Sequence, residues 1–149
     1  MLSAPPPSRR LGLGRLLLAW APVLAFQLLV IYLSTRPTLQ TSQLPYLDKV
    51  AHFSEYAVYA GLIYRALRLS GARLPHAPIL AMLLVVVLAA GDEVLQSKVP
   101  NRDSSVRDWA ADVAGGVAGV LVARILERRF PPGWLAPGRE RGVGRLPRT

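Results

Sequence analysis

Cysteine is absent from this 149-residue sequence, and acidic residues are scarce. Without cysteine the chain has neither a disulfide framework nor a thiolate metal site. Nine acidic residues stand against 18 lysines and arginines, which gives a net charge of +9. An arginine surplus also occurs in nucleic-acid-binding proteins. Here the positive charges flank apolar blocks, as at the cytoplasmic borders of membrane helices, and we do not expect nucleic-acid binding.

Hydrophobic residues make up 52% of the chain and are concentrated in four blocks. The blocks are Leu16–Leu33, Val50–Leu69, Pro78–Gln96 and Asp108–Leu126. Each is roughly 18–20 residues long, the length that a helix needs to cross a bilayer. The alternating strands of a β-barrel are not seen in the sequence. The sequence therefore predicts an all-α protein, a four-helix transmembrane bundle.

The two ends of the chain need separate interpretation. Three arginines precede the first block, as in a secretory signal peptide, but the block is longer than a signal core and no small-residue cleavage site follows. We expect a retained helix. Residues 1–10 and 130–149 are rich in proline, glycine and arginine and are predicted to be cytoplasmic tails. The transmembrane domain is then residues 11–129.

Basic residues predict the orientation, because cytoplasmic loops are enriched in lysine and arginine. With the N-terminus inside, 13 of the 18 basic residues lie on the inner side. The outer side holds Arg36, Lys49, Lys98, Arg102 and Arg107. We therefore predict that both termini are cytoplasmic.

Polar residues inside the predicted helices mark a candidate site, because ionisable groups in a bilayer are costly and usually functional. They lie in the outer third of three helices, and helical spacing places those of the second helix on one face. We propose His52, Glu55, Asp92 and Glu93 for catalysis, and Asp48, Gln96, Arg102, Asp108 and Asp112 for ligand binding. Among them, Arg102 is suited to a phosphate.

The chemistry of this cluster is open at the level of sequence. Buried carboxylates suit acid–base catalysis, and histidine with carboxylates also suits a divalent metal ion. The sequence selects neither of these, nor any cofactor. An ion-pair network that only stabilises the bundle would use the same residues. No P-loop, HExxH or GxSxG motif is present, and no histidine lies near Ser104 and Ser105 in the sequence to activate a serine.

Small residues form a stripe on the fourth helix. Ala111, Gly115 and Gly119 are four residues apart, and Gly116 widens the stripe. Such a pattern lets a neighbouring helix approach closely. Because Asp112 shares this face and must point away from lipid, we expect the contact to lie within the bundle. The oligomeric state stays open.

Three segments of the chain resemble the motifs of the VanZ-like family. They are Asp48–Tyr56 (DKVAHFSEY), Asp92–Gln96 (DEVLQ) followed by Pro100–Asp103 (PNRD), and Asp108–Gly116 (DWAADVAGG) followed by Gly119. The resemblance covers residues 48–122. Two positions differ: Asp112 stands where the family often has asparagine, and Asn101 where it often has glycine. Asparagine also tolerates a left-handed turn, so the second difference is mild.

The family is named for a membrane protein linked to teicoplanin resistance. The resemblance implies a multi-pass protein of the bacterial cytoplasmic membrane and an association with glycopeptide resistance, while it leaves the activity undefined. From the polar cluster we expect a site that binds or processes an envelope lipid or a lipid-linked amphiphile. The alternative is a non-catalytic structural or accessory subunit. A proton-coupled transporter is disfavoured, because no polar path continues into the inner half of the helices.

Overall fold

The computed structural model describes residues 12–36, 46–100, 102 and 104–130, and within them it contains four helices and no strand. The helices are α1 (Leu13–Ser34), α2 (Leu47–Leu69), α3 (His76–Gln96) and α4 (Val106–Arg129). Each covers one predicted block and extends at most three residues beyond it. The predicted all-helical bundle is therefore confirmed. The predicted tails, apart from Phe130, lie outside the described residues, as do Asn101 and Asp103.

Three of the four helices, α1, α3 and α4, are long and apolar enough to cross a membrane within the described part of the chain. α2 is the exception, because it carries charged residues along its length. It also contacts each of the other three helices. Burial among neighbours explains how a less hydrophobic helix fits this bundle, because the neighbours replace lipid around its polar side chains.

The core is built from small residues of one helix packed against tyrosines of another. Tyr56, Tyr59 and Tyr64 of α2 are buried, and α3 presents a row of alanines to the same core. On the outside, leucines such as Leu18 of α1 are exposed, with 76% of the residue accessible. An apolar exterior of this kind is suited to contact with lipid chains.

α2 and α4 are in close backbone contact. A Cβ atom added to Gly115 would overlap the backbone of Phe53, and one added to Gly119 would overlap the backbone of Ala57. Gly116 faces Val85 of α3 instead. The glycines of α4 therefore hold two neighbouring helices near enough for short polar side chains to bridge them.

Local signals explain where the polar helices begin and end. Ser105 caps α4, since its Oγ accepts a hydrogen bond of 3.1 Å from the backbone N–H of Asp108. At the other end of the bundle, Gly71 adopts a left-handed φ of 91° and terminates α2. The N–H groups of Gly71 and Ala72 bind the last carbonyls of that helix. The chain then turns directly into α3.

Candidate functional site

Ionisable side chains gather at the end of the bundle where α2 and α4 begin and α3 ends. We call this group the polar centre and define it as His52, Glu55, Asp92, Glu93 and Asp112. Two of its members come from α2, two from α3 and one from α4. The fold thus brings together all four residues that the sequence suggested for catalysis, along with Asp112 from the suggested ligand-binding set.

A histidine–aspartate pair joins α2 to α4 in the polar centre. The Nδ1 atom of His52 lies 2.9 Å from Oδ1 of Asp112. The Asp112 side chain is 0% exposed and that of His52 is 13% exposed. An imidazole oriented by a buried carboxylate is the arrangement of a general base, and it also orients the ring for metal binding.

The two acids of α3 are held by different partners. Asp92 accepts a hydrogen bond of 2.9 Å from the amide of Gln96, one turn further along the same helix. Glu93 accepts one of 2.8 Å from the backbone N–H of Ser105, at the start of α4. Glu55 of α2 is half-buried beside the charges of Asp92 and His52. Residues of three helices therefore assemble the polar centre.

Three buried carboxylate oxygens of the polar centre have no hydrogen-bond partner among the described residues. They are Oδ1 of Asp92, Oε1 of Glu93 and Oδ2 of Asp112. A buried acceptor without a partner costs free energy, about 1–3 kcal/mol and more when it is charged. The residues that the structure describes do not satisfy these three oxygens, and this is the property expected of a binding site.

Lys49 neutralises acids at the rim rather than in the polar centre. Its ammonium lies 2.9 Å from Asp108 and 3.0 Å from Asp48. Asp108 also accepts a 2.6 Å hydrogen bond from the hydroxyl of Ser105. Asp48 is exposed. It therefore stands apart from His52 and Glu55, although it shares their helix.

Arg102 contacts the end of α1. Its guanidinium donates hydrogen bonds of 2.6 Å to the carbonyl of Leu33 and 3.4 Å to that of Arg36. Lys98 and Arg107 are exposed. Within the described part of the chain, no ion pair joins Asp92 or Glu93 to a lysine or arginine.

One subset of the polar centre has the geometry of a ligand set for a metal ion. His52, Glu93 and Asp112 each offer one ligand atom, and these three atoms lie within 4.8 Å of one another. We call these residues the ligand triad. They come from three different helices, so the tertiary fold and not a local motif assembles them.

A second polar cluster, at the opposite end of the bundle, was not foreseen from the sequence. Glu127 of α4 accepts hydrogen bonds from the hydroxyl of Tyr64 and, at 2.7 Å, from Nε of Arg68. Arg68 also donates to the carbonyl of Ala72. A signal was available: Glu127 is an isolated acid among arginines, and isolated intramembrane acids need a partner. This cluster is a second tie between α2 and α4.

A groove of about 880 Å³ runs along the outside of the α2–α4 contact. It extends from Phe53, the residue after His52, to Phe130 and Glu127 at the far end. Most of its lining is apolar, including Ala57, Val58, Leu62, Val122 and Leu126. A groove of this shape accommodates a hydrocarbon chain.

Long apolar helices around a buried polar centre define an all-helical integral membrane protein. The family model described as VanZ/LLP1 matches residues 13–127, and the chain belongs to this family. No curated protein and no solved structure matches the chain.

Proposed function

We propose that this protein binds an envelope lipid or a lipid-linked amphiphile of the bacterial cytoplasmic membrane, with the polar headgroup in the polar centre. The observation that carries the proposal is the set of three buried, unpartnered oxygens on Asp92, Glu93 and Asp112. These atoms are acceptors. They suit a headgroup that offers hydroxyl or amine donors, because each donor removes the cost of an unsatisfied buried acceptor.

The groove between α2 and α4 supports an amphiphile as the ligand. It begins at Phe53, the residue after His52 in the chain, and its lining is mainly apolar. A molecule with a polar head and a hydrocarbon chain would place both parts in surroundings of matching polarity. A small polar solute would leave the groove unused.

The orientation belongs to the same proposal. The basic-residue bias favours cytoplasmic termini and four crossings. The polar centre then lies in the outer leaflet, where envelope precursors are processed after they have crossed the membrane. The family name adds an association with glycopeptide resistance, and we include that phenotype among the readouts.

The His52–Asp112 pair favours processing of the ligand as well as binding. Their 2.9 Å contact orients the imidazole, which then accepts a proton from a ligand hydroxyl or amine. Glu55 and Asp92 lie close enough for their charges to interact. We propose that Glu55 is protonated at the start and donates its proton to the leaving group, and that the proton accepted by His52 later restores Glu55. Arg102 has further donors for a phosphate beyond the one that binds α1.

The alternative function is a structural subunit, in which the polar residues only tie the helices together. The chain of contacts from Lys49 through Asp108 and Ser105 to Glu93 favours it, because it links three helices. The two proposals differ in what Asp92 does. A ligand site needs its free oxygen, whereas a structural network needs only the oxygen already bound to Gln96.

The test compares Asp92→Asn and Glu93→Gln with Asp48→Asn, an exposed acid outside the polar centre. We measure membrane abundance, heat stability in detergent, lipids that copurify by mass spectrometry, and glycopeptide sensitivity. The two centre variants are expected to keep abundance and stability, and to lose the copurifying lipid and the phenotype. Asp48→Asn is expected to behave as the parent. Centre variants that lose stability, with phenotype falling only in proportion to abundance, would establish the structural role instead.

A further inference from the structure

We infer that His52, Glu93 and Asp112, the ligand triad, bind one divalent transition-metal ion. The three ligand atoms lie within 4.8 Å of one another. Zinc binds nitrogen and oxygen ligands at about 2.0–2.2 Å, so the ligands of a tetrahedral ion are roughly 3.3–3.6 Å apart. The ligand atoms therefore have to approach one another by at most about 1.2–1.5 Å to coordinate one ion.

Unpartnered oxygens within the triad are an independent observation that points to a cation. Oε1 of Glu93 and Oδ2 of Asp112 are buried and have no hydrogen-bond partner among the described residues. Asp112 is fully buried. Carboxylates buried in this way are costly unless they are protonated or have positive charge close by, and beside Asp112 that charge comes from a protonated His52 or from a bound cation.

Among the described residues at this end of the bundle, Lys49 and Arg102 are engaged elsewhere, and Lys98 and Arg107 are exposed. Lys49 binds Asp48 and Asp108, and Arg102 donates to carbonyl oxygens at the end of α1. A dication in the triad would balance the charges of Glu93 and Asp112 with no net charge left over. It would also take up two of the three unpartnered oxygens, Oε1 of Glu93 and Oδ2 of Asp112, so that a lipid headgroup would reach these two carboxylates through the ion.

The donor set indicates the class of metal. One imidazole and two carboxylates suit zinc, manganese, iron or cobalt, whereas magnesium and calcium prefer oxygen ligands alone. Three protein ligands leave at least one coordination position open, as in catalytic zinc sites. The backbone N–H of Ser105 binds the other oxygen of Glu93 at 2.8 Å, which orients this carboxylate as outer partners of metal ligands do.

With a metal ion bound, His52 would be a ligand and not the base of the acid–base step proposed above. Metal binding is therefore measured without any lipid, and its failure would leave the proposed lipid binding untouched. The full chain is purified in detergent, freed of its purification tag, stripped with a chelator, and titrated with Zn²⁺, Mn²⁺ and Mg²⁺. Zn²⁺ binding outside the triad is expected to be low, because the chain has no cysteine and only two histidines. We expect about one Zn²⁺ per chain and a higher melting temperature with Zn²⁺, since a ligand that binds the folded state stabilises it.

Matched variants separate the triad from other binding. His52→Asn, Glu93→Gln and Asp112→Asn are each expected to weaken Zn²⁺ binding at least about tenfold. His76→Asn is the control, because His76 is exposed at the start of α3, at the other end of the bundle. It is expected to bind as the parent. Equal binding by the parent and His52→Asn, or equal weakening by His76→Asn, would overturn the inference.

A spectroscopic measurement keeps the inference testable if a triad variant fails to fold. Co²⁺ added to the stripped parent is expected to give the visible absorption of a low-coordinate site with nitrogen and oxygen ligands. The His76→Asn variant should give the same spectrum. A parent that shows only the weak spectrum of aqueous Co²⁺ contradicts the triad as a metal site.

Discussion

At the scale of single residues, the chain separates its acids into satisfied and unsatisfied groups. Asp108 has both carboxylate oxygens engaged, by Lys49 and by Ser105. Asp92 and Asp112 have one engaged oxygen each and one that has no partner in the part of the chain the structure describes. The separation follows the axis of the bundle: acids at the rim meet a lysine, and acids deeper in the bundle do not.

Lys49→Met is expected to destabilise the protein through Asp108, whose side chain is 9% exposed and would lose its cation. The expected loss in the free energy of unfolding is about 1–3 kcal/mol. Asp48→Asn removes the exposed partner of the same lysine and is expected to cost less than about 1 kcal/mol. Thermal unfolding in one detergent compares the two. Equal melting temperatures would mean that Ser105 alone satisfies Asp108.

The sequence does not predict which side chains of the site contact one another. Helical spacing correctly placed His52 and Glu55 near one another, and their neighbour Asp48 was expected with them. Asp48 instead turns outward to Lys49, because a residue in the first turn of a helix can reach water. Which carboxylate meets His52 depends on the rotation of α4 against α2, and no local pattern encodes that angle.

At the scale of elements, the α2–α4 pair is the framework of the site. Its contact surface carries glycines in the middle and polar ties at both ends, His52 with Asp112 and Arg68 with Glu127. Both ties need short distances between the helix axes. The glycines of α4 therefore serve the polar centre indirectly, by setting the separation at which its side chains meet.

Gly115→Ala and Gly119→Ala are expected to reduce heat stability, since each added Cβ would overlap the backbone of α2. The loss should be at least about 1–3 kcal/mol in the free energy of unfolding, and larger for leucine. Gly91→Ala is the control in α3, where an added Cβ meets nothing within 4 Å. It should be neutral or slightly stabilising, by up to about 1 kcal/mol. Two α4 variants as stable as Gly91→Ala would refute the close packing.

Hydropathy predicted the helices of this chain well. α3 ends at Gln96 as its block does, and α1 is longer than its block by a single turn. The reason is physical, since the bilayer fixes both the length and the apolarity of a spanning helix. α2 is predicted as a spanning helix from its length and position, because its composition is less apolar than that of the other three helices. Burial in the bundle accounts for that difference.

At the scale of the whole molecule, the proposed orientation is directly testable because the chain has no cysteine of its own. Ser104→Cys and Arg73→Cys place single thiols at exposed positions in connections at opposite ends of the bundle. In intact bacterial cells, a membrane-impermeant thiol reagent is expected to label Ser104→Cys. Arg73→Cys should react only after the membrane is permeabilised. The opposite labelling pattern would invert the bundle and move the polar centre to the cytoplasmic side.

The central position of α2 has a consequence for how the protein is made. A ribosome completes α2 well before its main partner, since Asp112 follows His52 by 60 residues and Glu127 follows Arg68 by 59. At about 5–20 residues per second, the delay is roughly 3–12 s. Throughout it, the charged residues of α2 would lack their partners, and each would cost up to about 2.5–3.5 kcal/mol in a lipid-facing helix, with the smaller costs towards the helix ends. We therefore expect α2 to remain at the translocation channel until α4 emerges, so that the two helices enter the lipid together and the order of burial departs from the order of synthesis.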